Sequence, residues 1–366
     1  MSFSKNVFLL VWLALMYLLS HATNVMRKEQ VCGQTEYRPT WFFAVLVFIP
    51  VIWLAAKRSG FADTAMYLKS FRERPGSLGG LLSFLPQVSK DPGFSFLSGL
   101  IKLVVGNRTV LYLGILAVIQ SVLLISVFRK YSPAYMTSIF LFIASTDYIS
   151  WMFNGLRQFM AVTLIFAATG LMLQRKWIPT ILVILVASTM HQSALLMIPV
   201  VFIVQGKAWN YRTVLVILGS LLAVLFVDRF TDILDNMMQE TQYSNMVSDW
   251  EEWEDNGTNV LRVAVYAVPT FLSLIGLRYI RQDGDRLINM CVNMSIISTS
   301  LYVISMFTSG IFIGRLPIYM SLYNYILLPW EIEHMFTKQS QKIVSICMVA
   351  AYLIFNVYQV KFTFGL

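Results

Sequence analysis

The stretch Ser145-Thr146-Asp147-Tyr148-Ile149-Ser150-Trp151-Met152-Phe153-Asn154-Gly155-Leu156-Arg157-Gln158 sets a carboxylate, an amide and a guanidinium between two long apolar runs. Polar and ionisable groups at the edge of a hydrocarbon layer are costly to keep and mark functional sites by default. Asp147, by its place near that edge, is the first candidate for a general base that takes a proton from an attacking hydroxyl. Asn154 has the chemistry of a helix N-cap, and a helix start offers unpaired N–H groups and a positive dipole end to an anion. Arg157, one turn further, adds a planar fork of donors matched to phosphate oxygens, with Gln158 beside it. A cap followed by an arginine that reaches for the interface fits the local pattern about as well.

Other residues extend the same chemistry. Arg315 in Gly314-Arg315-Leu316-Pro317-Ile318-Tyr319 is a second cation, with Tyr319 and Tyr323 following at helical spacing. Two arginines aimed at one cavity would neutralise a lipid pyrophosphate and stabilise it as a leaving group. His191, beside Gln192 and Ser193, interrupts an apolar stretch where irregular backbone is tolerated if it lines a cavity or is buried in protein. Asp63 in Gly60-Phe61-Ala62-Asp63-Thr64 offers another carboxylate, and Arg72 and Arg74 offer further phosphate contacts; solvated loop charges are the competing explanation. The chain holds no P-loop, GxSxG, HExxH or dinucleotide fingerprint, so no nucleotide cofactor is expected. Cys32, Cys291 and Cys347 have no metal-ligand spacing, so neither a metal nor a disulfide is expected.

The elements that must carry these residues are membrane helices. Hydrophobic residues make up 57% of the chain and charged ones 13%, far from soluble composition, and the net charge of +9 needs no nucleic acid to explain it. The first apolar run lacks the basic start and small-residue site of a secretory signal and reads as a span. Apolar runs predict helices near 6–22, 40–56, 109–128, 134–148, 155–173, 213–227, 260–277, 287–305, 313–330 and 342–360. The stretch 177–205 has basic residues at both ends and a polar break at 188–193, which predicts two short helices in a hairpin and twelve crossings in all. Alternating the sides then gathers Arg27, Lys28, Arg38, Arg129, Lys130, Arg175, Lys176, Lys207, Arg212, Arg278, Arg281, Arg286, Lys338 and Lys342 on the cytoplasmic face, with both termini outside. Arg157, Arg315 and His191 fall on the outer face. One integral domain, 1–366, is expected, with two large outer loops: a basic, partly helical one at 57–108 and an acidic one at 228–259.

Phe61-Ala62-Asp63-Thr64 with Tyr67, Lys90-Asp91-Pro92-Gly93-Phe94, Asn154-Gly155-Leu156-Arg157-Gln158, His191-Gln192-Ser193 and Gly314-Arg315-Leu316, in this order, resemble the EpsG-like branch of the Wzy polysaccharide polymerases. The resemblance implies a multispanning glycosyltransferase of GT-C-like architecture in the bacterial inner membrane, with its site facing the exterior. Such a protein polymerises O-antigen, capsule or exopolysaccharide repeat units carried on undecaprenyl pyrophosphate, releasing that lipid. Arg157 and Arg315 would hold the pyrophosphate and Arg72 or Arg74 the second lipid's phosphates, while Asp147, Asp63 or His191, in that order, would be the base. The implied partners are undecaprenyl-pyrophosphate-linked glycans, the bilayer and a chain-length regulator, without nucleic acid. An O-antigen ligase would use the same donor, and a lipid-linked oligosaccharide flippase would also carry buried arginines, but a flippase predicts an internal repeat that the sequence does not display. The acidic loop is not a feature the resemblance explains.

Overall fold

Apolar runs become helices here, and the polar residues between them become caps, turns and breaks. The computed structural model describes residues 3–31, 34–227, 229–231, 233 and 257–363, so most of the acidic loop expected at 228–259 lies outside the described residues. Two compact units share the chain: Met1–Ile198 with Lys338–Leu366, and Pro199–Thr337.

Unit 1 begins with α1 (Phe3–Ala22), an antiparallel hairpin of β1 (Met26–Val31) and β2 (Gln34–Pro39), and α2 (Trp41–Ala56). The hairpin runs from Met26 opposite Pro39 to Val31 opposite Gln34 and departs from the all-helical expectation. The polar connection between the first two apolar runs satisfies its backbone by pairing with itself. Thr40 caps α2, its hydroxyl accepting the Phe43 amide at 3.3 Å. Within 57–108 lie α3 (Thr64–Glu73), α4 (Leu78–Phe84) and α5 (Pro92–Val105). Pro92 opens α5 with a preset φ and no amide to leave unpaired, and Gly106, at φ 62°, closes it.

After α6 (Thr109–Tyr131), the run expected as one span over 134–148 is α7 (Tyr135–Ala144) and α8 (Asp147–Phe153), bent by 70°. Thr146 makes the break with φ 61°, a left-handed conformation unusual for a β-branched residue. α9 (Leu156–Ala167), α10 (Thr169–Leu173) and α11 (Trp177–Met190) follow, and α11 stops at His191 in extended backbone before a 3-10 turn over Gln192–Leu196. α2 packs on α6, α6 on α9, α9 on α11 and α11 on α5. Tyr67 and Phe71 of α3, Phe94 of α5, Tyr112 of α6 and Leu156 and Met160 of α9 share one buried cluster, in which Phe71 and Tyr112 stack at 4.0 Å. This cluster holds the segment 57–108 against the membrane helices of its unit.

Unit 2 contains α12 (Met197–Ile203), which begins at the boundary, α13 (Tyr211–Leu225), α14 (Val260–Ile275), α15 (Leu277–Asp283), α16 (Arg286–Met306), α17 (Ile318–Ser321) and α18 (Asn324–Met335). Side chains of Asn210, Asn259 and Asp285 cap α13, α14 and α16. α16 packs on α13, α14, α17 and α18. The expected helix over 313–330 is broken into a 3-10 turn at Ile313–Arg315, α17 and α18. The chain then returns to unit 1 as α19 (Lys338–Tyr358), which packs on α7.

Among the described residues four helices are long and apolar enough to cross a membrane, or six if each bent pair is one span, and six more apolar helices run to 10–17 residues. Their outward faces stay apolar at helical spacing: Ile178, Leu182 and Leu185 on α11, Leu215, Leu218, Leu222 and Leu225 on α13, and Ile343, Ile346 and Ile354 on α19 are exposed. A face of this kind suits hydrocarbon and not water. The chain is a multi-pass α-helical membrane protein.

Candidate functional site

Arg157 stands in the first turn of α9, and its Nη1 donates to Asp91 Oδ2 at 2.7 Å, an ion pair with the aspartate side chain only 2% exposed and the arginine 26%. Asp91 precedes α5 at φ 52°, and its side chain makes no bond to the helix it caps. The carboxylate instead faces Arg157 and accepts the backbone N–H of Gln192. Burial pushes the Asp91 carboxyl above the ordinary carboxylate range, and the neighbouring Arg157 and Lys90 only partly reverse this.

Further contacts close the site. Tyr67 hydrogen-bonds Arg157, whose guanidinium lies 6.0 Å from the centre of its ring. Asn154 Oδ1 accepts the Asp63 amide at 3.0 Å. Ser193 Oγ bonds His191 Nδ1 at 2.7 Å and accepts from Gln158 Nε2 at 3.4 Å. Gly93 seats the start of α5 on the end of α11: a Cβ there would collide with the Thr189 side chain and lie 3.1 Å from its carbonyl carbon. Four stretches far apart in sequence, around Asp63, Asp91, Arg157 and His191, are thereby joined within unit 1.

Buried cations stand behind this group. Arg58 donates through Nη1 to Ala55 O at 2.7 Å and through Nε to Thr64 Oγ1 at 3.3 Å, and Arg74 Nη1 donates to Ser95 O at 3.0 Å. Lys102 Nζ donates to Phe71 O at 3.2 Å and also to Arg72 O. Burial lowers the pKa of Arg58 to about 10 and lowers those of Arg74 and Lys102 as well. Arg58 Nη2 and Arg74 Nε have no partner. The region is therefore rich in donors and positive charge, the chemistry that receives phosphate oxygens.

The sequence-derived candidates divide accordingly. Asp63, Asn154, Arg157, Gln158 and His191 come together, and Arg74 lies close enough to Arg157 for the two charges to repel. Asn154 does not cap α9 as expected. Gly155 holds the cap position, because α8 runs to Phe153 and the Asn154 oxygen is engaged by Asp63. Arg72 is exposed, and its carbonyl serves Lys102. Asp147 is buried at the other end of α8, about 10 Å along the helix from Asn154, and accepts from Gln359 Nε2 at 3.2 Å. In unit 2, Arg315 is exposed while Tyr319 and Tyr323 are fully buried.

Asp91 and Tyr67 carry site contacts that sequence reasoning left without a role. Their signal was present: both belong to short motifs already singled out, and an Asp before Pro-Gly reads locally as a mere turn. Among the described residues no group of three or more His, Cys, Asp or Glu side chains is placed to hold a metal ion.

No curated protein and no solved structure matches the chain. The model of the EpsG family matches residues 41–364, a range that contains every contact of the site just described. The chain belongs to the EpsG family.

Proposed function

We propose that this protein polymerises undecaprenyl-pyrophosphate-linked oligosaccharide repeat units on the outer face of the bacterial inner membrane. Membership of the EpsG family supports a polysaccharide polymerase of glycosyltransferase type. The observation that carries the finer reading is the convergence of four motif stretches on Arg157, beside a donor-rich, cationic region. In this reading the growing glycan's anomeric carbon is attacked by a hydroxyl of the incoming repeat unit, and undecaprenyl pyrophosphate departs. Arg157, with Tyr67 beside it, neutralises the charge that develops on the leaving pyrophosphate. Arg74 and Arg58 add positive potential behind it, and His191 and Asp63 border the acceptor side.

The architecture proposed with it is GT-C-like with twelve crossings, the short helices α9, α11 and α12 counting as spans in a locally thinned or protein-lined layer. Arg315 is proposed as a further substrate contact within unit 2, and a chain-length regulator as a partner. The test uses purified protein in nanodiscs with undecaprenyl-pyrophosphate-linked repeat units. A ladder of products spaced by one repeat unit is expected on a gel, and lipid that stays at a single repeat unit rejects the reading.

A further inference from the structure

We propose that Asp91 is the general base of the transfer and that it is held in reserve as the internal counter-ion of Arg157 until a lipid pyrophosphate takes its place on the guanidinium. This rests on the proposed polymerase function and assigns a base other than Asp147, Asp63 or His191.

The geometry points to Asp91 by what it forgoes. An aspartate preceding a helix ordinarily accepts that helix's free amides. Here the backbone adopts a left-handed φ of 52°, the capping bond is absent, and the carboxylate is turned to Arg157 at 2.7 Å. Left-handed backbone at a non-glycine residue persists where surrounding structure enforces it, and such positions cluster at functional sites. The close seat of Gly93 on Thr189 fixes the chain on one side of Asp91, and the contact with Arg157 holds its side chain on the other.

The pair is also poised to exchange. Arg157, Arg58, Arg74 and Lys102 give four cations, and Asp91 is the one buried carboxylate paired with them in the described residues, leaving an excess of positive charge. A pyrophosphate diester carries about two negative charges and several acceptor oxygens, so it outcompetes a single carboxylate for a guanidinium fork. Burial already disfavours the charged form of Asp91 even with Arg157 and Lys90 beside it and Tyr67 close by. Once Arg157 turns to the phosphate, its pull on the carboxylate weakens and Asp91 becomes a stronger base. While the pair is closed the carboxylate is 2% exposed, so no proton can be taken before the donor is bound.

The step balances. The acceptor hydroxyl gives its proton to Asp91, its oxygen forms the new bond to the anomeric carbon, and the bond from that carbon to the pyrophosphate oxygen breaks. The electron pair leaves with undecaprenyl pyrophosphate, held by Arg157. Asp91 then returns its proton to water and closes on Arg157 as the lipid departs.

Asp91→Asn tests this, because asparagine tolerates the left-handed backbone and keeps the side chain's shape. In full-length protein in nanodiscs, radiolabelled undecaprenyl pyrophosphate should bind about tenfold tighter, since the competing carboxylate is gone, while ladder formation falls roughly 10²- to 10⁴-fold. Asp91→Gly suits the same backbone and carries the same expectations if the asparagine variant does not accumulate. Weaker binding in either variant would mean that Asp91 merely holds Arg157 in place, and retained ladder formation would mean that it is no base; each overturns the proposal. Wild-type protein that binds the lipid yet builds no ladder rejects the polymerase reading itself, and this proposal with it.

Discussion

The ion pair between Asp91 and Arg157 has a consequence for stability that can be separated from catalysis. Burial holds the Asp91 carboxyl above its ordinary range, so the folded protein keeps this proton more tightly than the unfolded chain does. Stability from this group is fully present below the ordinary carboxylate range, from about pH 4 downward, and is lost as pH rises through the folded value. Asp91→Asn should therefore flatten the fall of thermal stability as pH rises from about 4 toward neutrality and leave its Tm at neutral pH no lower than that of the wild type. Thermal unfolding of the two proteins across that range checks it, and an asparagine variant that melts earlier at neutral pH would show the pair to be a net stabiliser. At this scale the sequence was legible as to residue type and not as to partner. Arg157, His191 and Asn154 stood out as polar interruptions of apolar runs, whereas Asp91 sat in a Lys-Asp-Pro-Gly stretch that turn chemistry alone accounts for. Asp147 looked like the base for the same reason that Arg157 looked like a ligand, its place at a hydrocarbon edge. What separates them is Gln359, 212 residues away, which no local pattern announces.

Helices were the most legible elements, since long apolar runs leave the backbone of a membrane chain little alternative. Their interruptions were less so. The run over 134–148 has no proline or glycine near its break, and the bend comes from Thr146 in a left-handed conformation, which only packing can enforce. The 57–108 segment was expected to be partly helical and is, and two of its helices, α3 and α5, bring Tyr67 and Asp91 to Arg157. The fit of α5 on α11 is the point at which this arrangement is most easily broken. Gly93→Ala would press a methyl group into the Thr189 side chain and close on its backbone, so α5 must shift. The expected cost is about 1–3 kcal/mol. A lowered Tm, together with ladder formation reduced well beyond the loss of folded protein, would show that this seat positions Asp91; Gly93→Ala with normal activity would show that it does not.

For the whole molecule, the sequence revealed a membrane protein of one family but not that its helices sort into two compact units, because that division depends on which apolar faces meet. One connection ties the beginning of unit 1 to its end. Asn356 on α19 bonds Asn6 on α1, and its Nδ2 also donates at 3.0 Å to Ala144 O, a carbonyl at the bend between α7 and α8. Gln359, one turn on, holds Asp147 across the same bend. A freed carbonyl inside a bilayer needs such a donor, so Asn356→Leu should lower the Tm by several degrees and reduce the amount of protein recovered from membranes, both measurable by fluorescence-detected gel filtration. The order of synthesis follows. Everything from Pro199 to Thr337 leaves the ribosome before the helix that completes unit 1 exists. During that interval the bend at 144–147 waits in the nascent chain without its clamp, and a message cut short before Lys338 would yield a polypeptide that membrane quality control can recognise and remove.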